Sequence, residues 1–127
     1  ALLNINAVVG IERRGFLLGS AIAFKLGVAF VPIRKKGKLP FTTLAQSYEL
    51  EYGFETIEMH TDALEKGDGV LIHDDVLATG GTAEAAGRLV SQAGGIIKGY
   101  SFIAELAFLN GRKRLSGFDI QSLTTYN

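Results

Sequence analysis

Short apolar runs alternate along this chain with longer stretches of mixed character. Ile5–Ile11 (INAVVGI) is rich in Val and Ile and nearly free of charge, which predicts a strand buried on both faces. Gly15–Leu26 (GFLLGSAIAFKL) is long enough for a helix, and Gly27 stops it. Ala29–Ile33 reads as a second buried strand. Arg34–Pro40 (RKKGKLP) carries basic residues and no acid, and Phe41–Gln46 lacks clear periodicity, so 34–46 is expected to be a loop. Beyond it Tyr48, Leu50 and Tyr52 alternate with Glu49 and Glu51, and Ile57 and Met59 alternate with Glu58 and His60. With Gly53 between the two runs, this predicts a two-stranded ribbon with one wet face.

Glu65–Gly69 (EKGDG) is a turn, and Val70–His73 a third buried strand. Thr82–Ala93 reads as a helix ended by Gly94 and Gly95, and Ile96–Leu106 as a fourth strand. A short basic segment, Gly111–Leu115, precedes a final strand over Asp119–Tyr126. The order is β-α-β, ribbon, β-α-β, β. It predicts an α/β protein with a mainly parallel, twisted sheet flanked by helices and a β-ribbon with a flexible loop inserted. No repeat or linker divides the chain, so residues 1–127 are read as a single domain.

Composition narrows the function classes. The 127 residues carry 13 basic and 13 acidic side chains, so no global basic field points to nucleic acid. No apolar run approaches the roughly 20 residues that span a bilayer, which gives no reason to expect a membrane partner. There is no cysteine, which excludes disulfides and thiolate metal sites and fits a cytoplasmic setting. His60 and His73 lack a third ligand at a fixed spacing, and no direct protein metal site is expected. No signal-peptide pattern opens the chain. Ala1–Asn6 gives little lead-in to a buried strand, and further chain is expected upstream.

The candidate chemistry lies in Val70–Thr82, VLIHDDVLATGGT. In open parallel sheets, ligands bind beyond the carboxyl ends of the strands, and Asp74 and Asp75 are expected at such an end. Ala78, Thr79, Gly80, Gly81 and Thr82 follow, leading into a helix. The glycines let backbone N–H groups converge, the helix start adds free N–H groups, and the threonines add hydroxyls, which together suit a phosphate monoester. Carboxylates would repel bare phosphate but accept hydrogen bonds from sugar hydroxyls. The implied ligand is a phosphorylated sugar. The loop is neither a Walker A motif, since no Lys follows the glycines, nor a dinucleotide fingerprint.

As a whole, this stretch resembles the phosphoribosyl-pyrophosphate signature of the type I phosphoribosyltransferases. Gly10–Gly15 (GIERRG), Arg34–Pro40, Ser47–Gly53 (SYELEYG) and Gly111–Leu115 (GRKRL) are similar, in order and separation, to the adenine phosphoribosyltransferase family. The resemblance runs from about Val8 to the C-terminus. It implies transfer of ribose 5-phosphate from phosphoribosyl pyrophosphate to N9 of adenine, giving AMP and pyrophosphate with Mg²⁺, in a homodimer.

By the same resemblance, Asp74 and Asp75 would hold the ribose hydroxyls and residues 78–82 the 5-phosphate. Glu12–Gly15 would form a pyrophosphate loop, often containing a non-proline cis peptide. Arg14, Arg34, Lys35 and Lys38 would neutralise pyrophosphate, with Arg34 reaching toward a neighbouring subunit. Glu51 would take a proton on a mobile loop shared with Tyr52, and Leu106 would pack on adenine. The pattern departs at Arg13 and His73, where smaller and apolar residues are commoner. The family also implies roughly fifty residues ahead of this point, against a domain norm of ~100–200 residues. These include part of the hood that recognises the base. A non-catalytic sensor, or an enzyme for another purine, would use the same cradle.

Overall fold

A computed structural model describes residues 4–40, 42–50 and 52–127. The elements run β1 (Ala7–Ile11), α1 (Arg14–Leu26), β2 (Ala29–Lys35), β3 (Thr43–Glu49), β4 (Phe54–His60), β5 (Gly69–Leu77), α2 (Gly81–Gln92), β6 (Ile96–Leu106) and β7 (Ile120–Tyr126), with 3₁₀ turns at Ala107–Leu109 and Gly111–Leu115. All seven strands join one sheet in the order β3-β4-β2-β1-β5-β6-β7. The pairs β1–β2, β1–β5, β5–β6 and β6–β7 are parallel, as the alternating pattern predicts. The ribbon β3–β4 is antiparallel and extends the same sheet through Arg34↔Glu58 and Lys35↔Ile57.

The two helices cover opposite faces, and strand parity shows it. Val9, Ile11, Val31, Ile33, Val70 and Ile72 point to the face where α2 lays Ala83, Ala86, Leu89 and Val90, forming the main core. Each fully buried branched side chain there contributes roughly 1.5–3 kcal/mol. The other face receives α1, which buries Gly15, Gly19 and Ala23, residues four apart on one side of the helix. The absent side chains decide how close it lies. A Cβ on Gly19 would stand 3.1 Å from the Phe30 ring, and one on Gly15 would stand 3.0 Å from the carbonyl oxygen of His73. Gly27, at φ 70°, ends α1 with its N–H directed at the carbonyls of Ala23 and Phe24.

The structure corrects several expectations. Thr43–Gln46 is strand, not loop. Phe41, in the same stretch, lies outside the described residues. The edge strand turns Leu44, Gln46 and Tyr48 inward at intermediate burial, and the single polar Gln46 masks the period of two. The alternation does not continue past Glu49, for Leu50 and Tyr52 are exposed at the ribbon tip. Within β2 only Val31 and Ile33, on the α2 side, are buried, while Phe30 and Pro32, before and between them, are half-buried. The third strand runs on to Leu77, four residues further than its apolar run.

Candidate functional site

That extension explains how the acidic pair is presented. The ladder from β5 to β1 ends at Gly10↔His73, whereas the ladder to β6 continues through Asp74↔Phe102 to Leu77↔Glu105. Asp74 and Asp75 therefore stay in a strand held from one side only. The vacated side is taken by the start of α1, where Gly15 lies so close that a Cβ would sit 3.3 Å from Asp74 Oδ1. Asp74 Oδ1 accepts the Asp75 N–H at 2.8 Å, and Asp75 Oδ1 accepts the Val76 N–H at 2.9 Å. Arg14 Nη1 stands 3.5 Å from Asp75 Oδ2.

Burial pushes the Asp74 carboxyl up to about 8; the Asp75 N–H pulls the other way, but the Asp75 carboxyl adds to the rise. A carboxyl so raised keeps its proton to a higher pH than an ordinary aspartate, and in that form it can donate as well as accept. His73, just before it, is wholly buried, with Nδ1 3.2 Å from Ser101 Oγ and no hydrogen-bond partner at Nε2. Burial holds its pKa below the usual imidazole range.

Downstream, Ala78–Thr82 curls into the start of α2. Gly80 takes φ 88°, open to glycine at no steric cost, and its carbonyl accepts the Glu84 N–H at 2.9 Å. The first N–H groups of α2 have no partner within the helix and face a hollow of about 60 Å³ lined by Asp74 and residues 76–83. The loop is braced from behind by the turn Gly111–Leu115. A Cβ on Gly80 would come within 2.7 Å of the Gly111 carbonyl, and a Cβ on Gly111 would collide with the carbonyl of Ala78.

Upstream of the acids lies a cleft of about 550 Å³ walled by Glu12, Arg13, Arg14, Arg34, Lys35, Lys38 and Asp75. Glu12 organises it. Its Oε1 accepts from the Lys35 N–H at 2.8 Å and from Arg34 Nε at 3.3 Å. Burial raises the Glu12 carboxyl, but the Lys35 N–H and the Arg34 guanidinium outweigh it and hold the group below its ordinary range. Arg34 also lies 5.9 Å over the Phe16 ring, so in this chain it is held by its own neighbours. The Glu12–Arg13 peptide is cis. Lys35 Nζ pairs with Glu55 of the ribbon at 3.3 Å.

The expected residues therefore gather in two groups that share the acidic pair: Arg14, Arg34, Lys35 and Lys38 on one side, residues 78–82 on the other. Leu106 ends β6 opposite Tyr126 and lines neither hollow. Tyr52 stands 86% exposed at the ribbon tip, away from both, and Glu51 lies outside the described residues.

Sequence reasoning missed one structural pair. Glu105 is buried, and Arg112 grips it through Nε at 2.7 Å and Nη2 at 2.9 Å, with Ser122 Oγ at 3.0 Å. This clasp closes the loop between Leu106 and Gly111. The signal was present, for a lone carboxylate ending an apolar strand needs a buried partner, and a basic run follows seven residues on.

Comparison with known proteins gives these features a context. Residues 3–108 match the family model for the phosphoribosyl transferase domain. An adenine phosphoribosyltransferase of Thermotoga neapolitana is 55% identical over 97% of this chain and 72% of its own length. The solved adenine phosphoribosyltransferase of Rhodothermus marinus is 58% identical, with a TM-score of 0.95 over 98% of this chain and 72% of that one. The Saccharomyces cerevisiae adenine phosphoribosyltransferase, solved with an imino-altritol bisphosphate and adenine, is 45% identical, with a TM-score of 0.92 over 96% of this chain and 69% of that one.

Proposed function

The chain belongs to the adenine phosphoribosyltransferases, and on that premise we propose how its residues divide the transfer of ribose 5-phosphate from phosphoribosyl pyrophosphate to adenine, which yields AMP and pyrophosphate. The observation that carries the reading is the acidic pair standing between two hollows, one cationic and one at a helix start. Ribose hydroxyls bind Asp74 and Asp75. The 5-phosphate sits on Ala78, Thr79, Gly80, Gly81 and Thr82, and the diphosphate lies among Arg14, Arg34, Lys35 and Lys38. A sugar with phosphate groups at both ends spans these three stations, with the ribose on the acidic pair in the middle.

In the reaction the bond from ribose C1 to the diphosphate oxygen breaks, and a bond from C1 to adenine N9 forms. Negative charge gathers on the leaving diphosphate, where Arg14, Arg34, Lys35 and Lys38 offset it. The proton on N9 passes to Glu51, and closure of the ribbon tip with Tyr52 keeps water from the cationic ribose. Leu106 packs against the base. The cleft wall is mostly cationic and suits phosphate oxygens rather than a metal ion, so Mg²⁺ would arrive with the phosphosugar and would supply further positive charge to the leaving diphosphate.

We also infer a homodimer. Leu17 and Phe24, seven residues apart on the outer face of α1, are 81% and 89% exposed, an apolar stripe that a second copy would cover. A cytoplasmic setting goes with these substrates, and no helix among the described residues is long and apolar enough to cross a membrane.

Steady-state assays with Mg²⁺, adenine and phosphoribosyl pyrophosphate test the roles. Glu51→Gln is expected to lower kcat about 10²-fold or more with little change in KM. Asp75→Asn is expected to lower kcat/KM for the phosphosugar. Full activity in both variants refutes the assignment. A wild-type chain that binds the phosphosugar but forms no AMP identifies a sensor instead.

A further inference from the structure

The ribbon of β3 and β4 is joined to the sheet unevenly. β3 is the edge strand, and among the described residues its strand pairing is with β4 alone. Side chains of α2 meet it as well, and one guanidinium makes two of the bonds. Arg88 Nε donates to Gln46 Oε1 at 3.1 Å, and Arg88 Nη2 donates to the carbonyl of Ser47 at 3.0 Å. Its Nη1 stands 3.4 Å from Glu84 Oε1, one turn earlier on α2. Arg114 Nη1 reaches the same Glu84 oxygen at 3.2 Å, and its side chain packs where it would touch a Cβ on Gly80. Gln46 is held a second time, its Nε2 donating to Gln92 Oε1 at 3.1 Å. Two residues past Gln46, the Tyr48 ring lies against the Cα of Gly81 in the phosphate cradle.

A surface arginine four residues after a glutamate is ordinarily a helix-stabilising pair and no more. Arg88 differs because two of its three contacts cross to a strand more than forty residues away, and one of them is a backbone carbonyl on an open sheet edge. A planar fork with several fixed donors can satisfy the three acceptors at once, which a lysine cannot.

We propose that Arg88 is a positioning residue that pins the root of the ribbon, at Gln46 and Ser47, to helix α2. The hinge of the tip then lies after Tyr48, and Tyr52 can move without dragging the strand away from the phosphate cradle. The kinetic part of this inference rests on the function proposed above. The latch itself does not.

The test is Arg88→Ala and Arg88→Lys in the full chain, read by amide hydrogen exchange and by steady-state kinetics. Arg88→Ala is expected to speed exchange about tenfold in Thr43–Leu50 while leaving Val70–Ile72 unchanged. It is also expected to lower kcat roughly fivefold at unchanged KM for phosphoribosyl pyrophosphate, with Arg88→Lys recovering part of both effects. Unaltered exchange in β3 overturns the latch, and so does equal acceleration in β3 and the core, which marks a loss of global stability alone. If the wild-type chain makes no AMP, the catalytic reading fails, and the exchange contrast still decides the latch.

Discussion

Replacing Asp74 by Asn should make the empty protein more stable while damaging its site. Asp74 titrates near 3.8 in an unfolded chain and near 8 in the folded one, chiefly because folding takes the carboxyl out of water. Between those values the unfolded state has released a proton that the native state keeps. The unfolded state binds fewer protons, so stability falls as pH rises through this window. At about 1.4 kcal/mol for each pH unit, the cost reaches up to about 4 kcal/mol at pH 7. Asn is neutral throughout, has nearly the same shape, and its amide oxygen can still accept the Asp75 N–H. Urea unfolding of both proteins from about pH 4.5 to pH 8 measures the difference directly. Asp74→Asn should be close to wild type at the acid end and increasingly more stable toward neutrality, while its affinity for the phosphosugar drops. His73, whose pKa is lowered, makes both proteins less stable below about pH 6.5, and this largely cancels in the comparison. A difference that stays flat with pH, or a variant less stable at pH 7, refutes the reasoning.

Glu105→Gln should cost roughly 1–3 kcal/mol, reduced from the fully buried case because Arg112 is half exposed. Arg112 first, then Ser122, outweighs burial and lowers the Glu105 pKa, so its contribution is present above about 4.5 and fades below it. The variant should therefore lose less stability than wild type on acidification, as thermal unfolding at about pH 3 and pH 7 would show. Gly87→Ala sets a helix gain of up to about 1 kcal/mol against a collision of the new Cβ with the Tyr100 hydroxyl. Overpacking of about 1–3 kcal/mol should win. In a Tyr100→Phe background, which removes that hydroxyl, the same change should become neutral or stabilising. A stabilising Gly87→Ala in the wild-type background would sink this account.

Much of this was legible beforehand, and the reasons are local. Buried parallel strands announce themselves as unbroken apolar runs, and Gly27, Gly80 and Gly94 punctuate the helices at residues whose positive φ favours glycine. The family resemblance rests on the same short segments, and the identities found above bear it out. What stayed hidden depends on partners far along the chain. Asp74 and Asp75 looked like a strand end because polarity masks a ladder that β6 continues to supply. Thr43–Gln46 looked like loop because an edge strand with one polar inward residue has no clean period. Arg88 reads as an ordinary helix surface until β3 is folded against it, and no spacing rule joins positions 88 and 47.

The seam between β1 and β5 has a consequence for how the protein comes to exist. Arg14 and Asp75 meet across 61 residues of chain. The pairing that unites them must wait until β2, the ribbon and β5 have all been made. Closing so long a segment is slow and entropically costly, and it comes after the β1–α1–β2 unit has its local contacts. A nascent or partly unfolded chain thus has the cationic segment and the Gly80–Gly81 turn but no place where one molecule can touch both. On the function proposed here, a phosphosugar that needs both segments would bind the folded chain in preference to any form in which they are apart. The cell's supply of phosphosugar therefore weighs on the folding equilibrium itself, drawing finished molecules away from unfolding in proportion to RT ln(1 + [L]/Kd).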